Sequence, residues 1–153
     1  MNDKPFAESC VQNRDPILAV LAEVFADRRR VLEIGSGTGQ HAVYFGAALP
    51  HLAWQTADVP AHHAGIRAWL ADAALPNVLP PLALEACQTG WRDARYDAVF
   101  SANTLHIMGW PEVECFFAGV GAVLEPGGVL AVYGPFNYDG AVTAESNARF
   151  DAW

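Results

Sequence analysis

The sequence predicts a doubly wound α/β fold: one sheet of five mostly parallel strands with helices on both faces. Three observations carry that reading. Short apolar segments alternate with segments of helical period along most of the 153 residues. The composition is 52% hydrophobic and 17% charged, which suits a sheet covered on both sides. Gly35, Gly37 and Gly39 close the first apolar segment, where α/β sheets turn from strand into helix beside a nucleotide. A chain of this length holds one hydrophobic core, so a single domain spanning 1–153 is expected.

Asp15-Pro16 reads as the start of the first helix, with Asp as N-cap and Pro at the first helical position; Ile17, Val20, Leu21, Val24 and Phe25 then recur at helical spacing. "RVLEI" at 30–34 is the first strand, and 39–49 the helix that follows the glycine turn. A second strand covers 52–58 and a second helix 61–73, with Ile66, Trp69 and Leu70 on its inner side. The third strand, 78–84, belongs at a sheet edge because Pro80 and Pro81 cannot donate to a ladder. A fourth strand covers 96–103. Pro111 starts a helix to about Leu124, "EPGG" turns the chain, and "VLAVYG" makes a fifth strand ending at Gly134. A long loop and then a helix from about Ser146 are expected for the remainder.

Formal net charge is −8, and the only notable basic run is Arg28-Arg29-Arg30, so a nucleic-acid groove is not expected. The start is polar and no run reaches the roughly eighteen apolar residues of a membrane span, which makes a cytoplasmic protein the default. Cys10, Cys87 and Cys115 lack paired spacing and read as reduced thiols. His62 and His63 are adjacent and so point apart on a helix; with His41 and His51 isolated, no metal site is expected.

The loop chemistry narrows the ligand. From the end of the strand, the position that the dinucleotide fingerprint reserves for its third glycine holds Gln40, and no G-K-[ST] phosphate loop exists because Lys4 is the only lysine. Glu33, two residues before the first glycine, would repel a pyrophosphate. S-adenosylmethionine carries no phosphate and presents a sulfonium and an ammonium group, which an acid beside a glycine turn suits.

Through "LEIGSGTGQ" the sequence resembles the class I S-adenosylmethionine-dependent methyltransferases, with their Rossmann-like fold. It is more closely similar to a poorly characterised family of short, single-domain methyltransferase-like proteins. That resemblance runs through "NRDPIL" (13–18), "VLEIGSGTGQHAVYF" (31–45), "HLAWQTADV" (51–59), "NVLPPLAL" (77–84), "NTLHI" (103–107), "GGVLAVYGPF" (127–136) and "SNARFD" (146–151). It implies a longer chain, with a further helix and a closing antiparallel strand pair after the fifth strand, so this sequence reads as C-terminally truncated and lacking that pair. It also implies a second acid shortly after Asp58, where this chain has Pro60.

Cofactor-binding candidates are Glu33, Gly35, Ser36, Gly37 and Gly39 of the loop, together with Asp58, Glu85, Asn103 and Arg14. Asp58 ends the second strand, where an acid accepts from ribose hydroxyls; capping the next helix is the competing role. By resemblance Glu85 meets the adenine amino group, against a solvated loop carboxylate. Asn103 and His106 follow the fourth strand and are the catalytic candidates, His106 as general base or as an imidazole bonded within its own loop. Tyr133, Gly134, Pro135 and Phe136 offer an aromatic wall or plain packing. By resemblance Ser9, Asn13 and Arg14 fold over the pocket, where Arg14 would pair with the cofactor carboxylate or instead cap the first helix.

Three functions are thereby framed. A methyltransferase for a small-molecule acceptor leads, the acceptor class being reached by elimination. A nicotinamide-dependent reductase lacks its glycine spacing and the Tyr-x-x-x-Lys pair. The third is a non-catalytic binding or interaction module, whose bare fifth strand would pair with a second copy as a homodimer.

Overall fold

The computed structural model describes residues 4–85, 87, 94–102, 110–134, 137–138, 141–142 and 147–152. In chain order the elements are α1 (Glu8–Val24), β1 (Arg30–Glu33), α2 (Gln40–Ala48), β2 (Ala53–Asp58), a 3-10 turn (Pro60–His62), α3 (His63–Ala73), β3 (Val78–Ala83), β4 (Tyr96–Ala102), α4 (Trp110–Val123), β5 (Leu124–Gly134), β6 (Asn137–Tyr138), β7 (Ala141–Val142) and β8 (Asn147–Ala152). The sheet order is β3-β2-β1-β4-β5-β8. β1 to β5 are parallel, as expected, and β8 lies antiparallel on β5. Chain order reverses between β1 and β4, the crevice where open α/β sheets bind ligands.

Strand alternation splits the core in two. Val31, Trp54 and Phe100 face one side of the sheet, where they pack with Ile17, Leu21 and Phe25 of the α1 region and Phe45 of α2. Leu32, Val99, Leu130 and Val132 face the other, against Phe116, Val120 and Val123 of α4. Phe45, Trp54 and Phe100 meet pairwise with centroids 5.6–5.8 Å apart, each such pair adding about 0.5–1.5 kcal/mol beyond its buried area.

Pro80 and Pro81 do sit in the edge strand β3. Its register against β2 slips there, from Gln55 opposite Leu79 to Ala57 opposite Leu82. Side chains take up the slack: Thr56 Oγ1 donates to the Leu79 carbonyl at 2.7 Å and Gln55 Nε2 to the Pro80 carbonyl at 2.7 Å.

Three expectations are corrected. First, α1 begins at Glu8, so Pro16 lies inside the helix rather than opening it. Pro16 deprives the Gln12 carbonyl of its helical N–H, but contacts outside the helix hold the first half in place. The Ala7 N–H donates to Gln40 Oε1 at 2.7 Å, Asn13 Oδ1 meets His41 Nε2 at 2.8 Å, and the Arg14 guanidinium lies 4.2 Å over the Tyr44 ring.

Second, Asn147–Ala152 is a strand where a helix from about Ser146 was expected. The unpaired N–H and C=O row of β5 is a template that local helix propensity does not reveal. β8 covers that edge, so β5 is not bare; the outer strands are β3 and β8.

Third, Cys87 and Cys115 are joined in a disulfide with Cα atoms 5.0 Å apart, and Cys10 is the free cysteine. Their 28-residue separation carries no local motif; the partnership arises because the turn after β3 comes back against α4. Thiol titration of unfolded, unreduced protein is expected to give one thiol per chain, rising to three after reduction. Three thiols without reductant would show the bond absent.

Candidate cofactor site at the glycine loop

The loop after β1 is stitched across the carboxyl ends of its neighbours. The Ile34 N–H donates to the Phe100 carbonyl of β4, and the Gly35 and Ser36 N–H groups both donate to the Ala57 carbonyl of β2. Ser36 Oγ accepts the Ala57 N–H at 3.0 Å, and Ser101 Oγ donates to the Ile34 carbonyl at 2.8 Å. Gly37 and Gly39 have φ of 60° and 94°, the left-handed region that glycine enters without strain. They differ in surroundings. A Cβ on Gly37 would meet nothing within 4 Å, whereas one on Gly39 would lie 3.1 Å from the Ile66 Cα and 3.3 Å from the Trp69 Cβ. Gly37 leaves room for a ligand; Gly39 lets α2 and α3 approach.

Asp58, at the end of β2, is 8% exposed. Its Oδ2 accepts the Gly37 N–H at 2.7 Å; its Oδ1 accepts the Val59 N–H at 2.6 Å and lies 3.0 Å from Nδ1 of the exposed His62. A cavity of about 260 Å³ opens between this acid and the loop, bounded by Gly35, Ser36, Gly37, Thr38, His41, Ser9, Cys10 and Ala102. A second, of about 460 Å³ between Pro5, Ala61 and Gly65, shares Gly37, Thr38 and His62 with it.

Gly35, Ser36, Gly37 and Asp58 are thus brought together as the sequence suggested. Glu33 is not among the lining residues. Strand alternation turns it toward the α1 and α2 face, where it is 1% exposed and its Oε1 accepts the Trp54 indole N–H at 3.1 Å. Burial raises its pKa to about 7, opposed by hydrogen bonds from Trp54 and Ser36 and reinforced by the nearby Asp58 charge. Gly39 serves helix packing. Glu85 is exposed, two residues past β3 and outside the cavity. Arg14 also stands outside it: the guanidinium stacks on Tyr44, whose hydroxyl donates to Asp15, and its Nε is buried without a partner. Asn103, His106, Pro135 and Phe136 lie outside the described residues.

The sequence reading missed Gln40 and His41. Gln40 Oε1 accepts from Thr38 Oγ1 as well as from the Ala7 N–H, pinning the N-terminal segment to the loop. His41 lines the cavity, and burial lowers its pKa to about 4. The available signal was a Gln-His pair in the first helical turn after the glycines.

Residues 4–153 match the model of a family described as "Protein of unknown function (DUF938)". The chain belongs to that family. Solved structures with the same architecture include an O-methyltransferase family protein from Burkholderia thailandensis, at TM-score 0.74 and 21% identity, covering 86% of this chain and 41% of that one. The S-adenosylmethionine-dependent methyltransferase SibL aligns at TM-score 0.76 and 26% identity, covering 86% and 38%. The glycopeptide N-methyltransferase MtfA, solved with S-adenosylmethionine, aligns at 0.66 and 14%, covering 92% and 65%. The DUF938 chain therefore has the class I methyltransferase fold, and it spans about two-fifths of the length of the first two of these proteins. No helix among its described residues is long and apolar enough to cross a membrane.

The lining fits the cofactor such proteins use. Among the described residues it contains no Lys or Arg, has the Asp58 carboxylate at one end and keeps Glu33 behind the loop. A pyrophosphate would meet the Asp58 charge with no Lys or Arg among the described lining residues to offset it; a ligand bearing cations and hydroxyls finds acceptors.

Proposed function

We propose that this DUF938 chain is an S-adenosylmethionine-dependent methyltransferase with a small-molecule acceptor. The observation that supports it best is the cavity in which the open side of Gly37 meets Asp58 without any Lys or Arg among the described lining residues. Such a cofactor supplies a methyl group on a sulfonium, so the protein's task is to hold, orient and desolvate, not to form covalent intermediates.

Asp58 serves ribose. A carboxylate offers about four lone-pair sites; the Gly37 and Val59 N–H groups and His62 take three. A ribose hydroxyl takes the remaining site, and a second displaces the exposed His62. The acceptor enters over the end of β4, where Asn103 and His106 follow, His106 removing the acceptor's proton when the nucleophile carries one.

Calorimetric titration of this chain with S-adenosylhomocysteine tests the reading. Saturable binding is expected, weakened about tenfold or more by Asp58→Ala, the equivalent of one or two hydrogen bonds to a charged group. Gly37→Val, which fills the open side of the loop, is expected to have a similar effect. A chain that circular dichroism shows to be folded, yet that binds neither this ligand nor S-adenosylmethionine, would overturn it.

A further inference from the structure

His41 is a buried, neutral imidazole on the wall of the cavity, and the cofactor reading leaves it without a role. It sits in the first turn of α2, stacked on Phe45 with ring centroids 5.1 Å apart. Its Nε2 is 2.8 Å from Asn13 Oδ1 on α1. An amide oxygen only accepts, so Nε2 carries the hydrogen and Nδ1 keeps a lone pair. Among the described residues Nδ1 has no hydrogen-bond partner, and it is not among the side-chain atoms buried without one. The lone pair therefore borders the cavity that His41 lines.

The surroundings select what that lone pair meets. Asp58 stands in the same lining, Glu33 lies close enough to bear electrostatically on Cys10, and no Lys or Arg lines the cavity among the described residues to balance them. A cationic hydrogen-bond donor fits at this lone pair; a hydrogen-bond acceptor does not. Burial keeps the ring uncharged at neutral pH, so it accepts from a cation without repelling it.

We propose that His41 Nδ1, with its tautomer set by Asn13, accepts a hydrogen bond from the α-ammonium group of the bound S-adenosyl cofactor. This rests on the cofactor reading above. The bond fixes the amino-acid end of the ligand against the N-terminal segment, while Asp58 fixes the ribose. Asn13 acts as a positioning residue, since it reaches the ligand only through the imidazole.

The test compares S-adenosylhomocysteine with its desamino analogue, which keeps the carboxylate and loses the ammonium, by calorimetry on the full chain. Wild type is expected to prefer S-adenosylhomocysteine by about 10- to 100-fold, the range for a hydrogen bond to a charged group. His41→Phe, which preserves the stack on Phe45, is expected to bind both ligands alike.

Asn13→Asp supplies a second route that does not depend on the fold tolerating phenylalanine. A carboxylate on Nε2 favours the imidazolium, whose Nδ1 becomes a donor, so the preference should shrink at low pH and return as pH rises. Equal loss of both ligands in His41→Phe would mark a packing role and overturn the proposal. So would a desamino analogue that binds wild type as well as S-adenosylhomocysteine does. If folded wild type binds neither, the cofactor reading itself fails, an outcome distinct from both.

Discussion

Gly39→Ala is expected to destabilise the protein by about 3–5 kcal/mol, whereas Gly37→Ala, two residues away in the same loop, costs about 1 kcal/mol. Both glycines have positive φ, but Gly37 at 60° sits in the left-handed well that alanine can occupy at modest cost, while Gly39 at 94° lies beyond it. Contacts separate them further. The new methyl on Gly39 would press on the Ile66 backbone at 3.1 Å and 3.4 Å, atoms that cannot swing aside as a side chain does. α2 and α3 would have to separate, and with them Ile66, which is fully buried. For a domain of this size about 1 kcal/mol moves Tm by 2–4 °C, so a fall near 10 °C is expected for Gly39→Ala and a few degrees for Gly37→Ala. Thermal unfolding followed by circular dichroism reads the contrast. Equal shifts would mean that the helix approach over Gly39 is not what the glycine is for.

The same contrast shows how far the sequence could be read. Three glycines after an apolar strand announced a loop, but their division of labour depends on what packs above each, which no spacing encodes. The parallel order was legible because each strand is a short apolar run followed by a helical period, and β3 could be set at the edge from Pro80 and Pro81 alone. α1 was misplaced because Pro16 carries a strong local signal, while the contacts that hold Glu8 to Asp15 come from Gln40, His41 and Tyr44, more than 25 residues away. Strand β8 and the Cys87–Cys115 bond are long-range in the same sense. Glu33 was a miss that alternation should have prevented. It shares the parity of Val31, so it had to point into the face that α1 and α2 cover.

That placement ties stability near neutral pH to the titration of Glu33. Its folded pKa of about 7 stands above the unfolded value of 4.5, chiefly because burial penalises the carboxylate. Below pH 4.5 both states hold the proton, and the contribution to stability is fully present. As pH rises from 4.5 to 7 the unfolded state releases the proton while the folded state retains it, so stability falls; above 7 the whole contribution is lost. At 1.36 kcal/mol per pH unit the span is worth about 3 kcal/mol.

Glu33→Gln keeps an oxygen for the Trp54 indole and removes the titration. Urea unfolding at pH 5, 6, 7 and 8 should therefore show the variant gaining on wild type as pH rises, by roughly 3 kcal/mol at the upper end. A difference that stays flat with pH would mean that Glu33 is ionised throughout. Gln in this position avoids the desolvation cost of the carboxylate. Under the proposed function, positive charge arriving beyond the loop would favour the ionised form of Glu33 and expel its proton. Binding of S-adenosylmethionine, whose sulfonium brings net positive charge, near pH 6.5 should then release a fraction of a proton from wild type and none from Glu33→Gln. Calorimetry in buffers of different ionisation enthalpy measures that release, and equal values for the two proteins would separate the buried acid from the ligand.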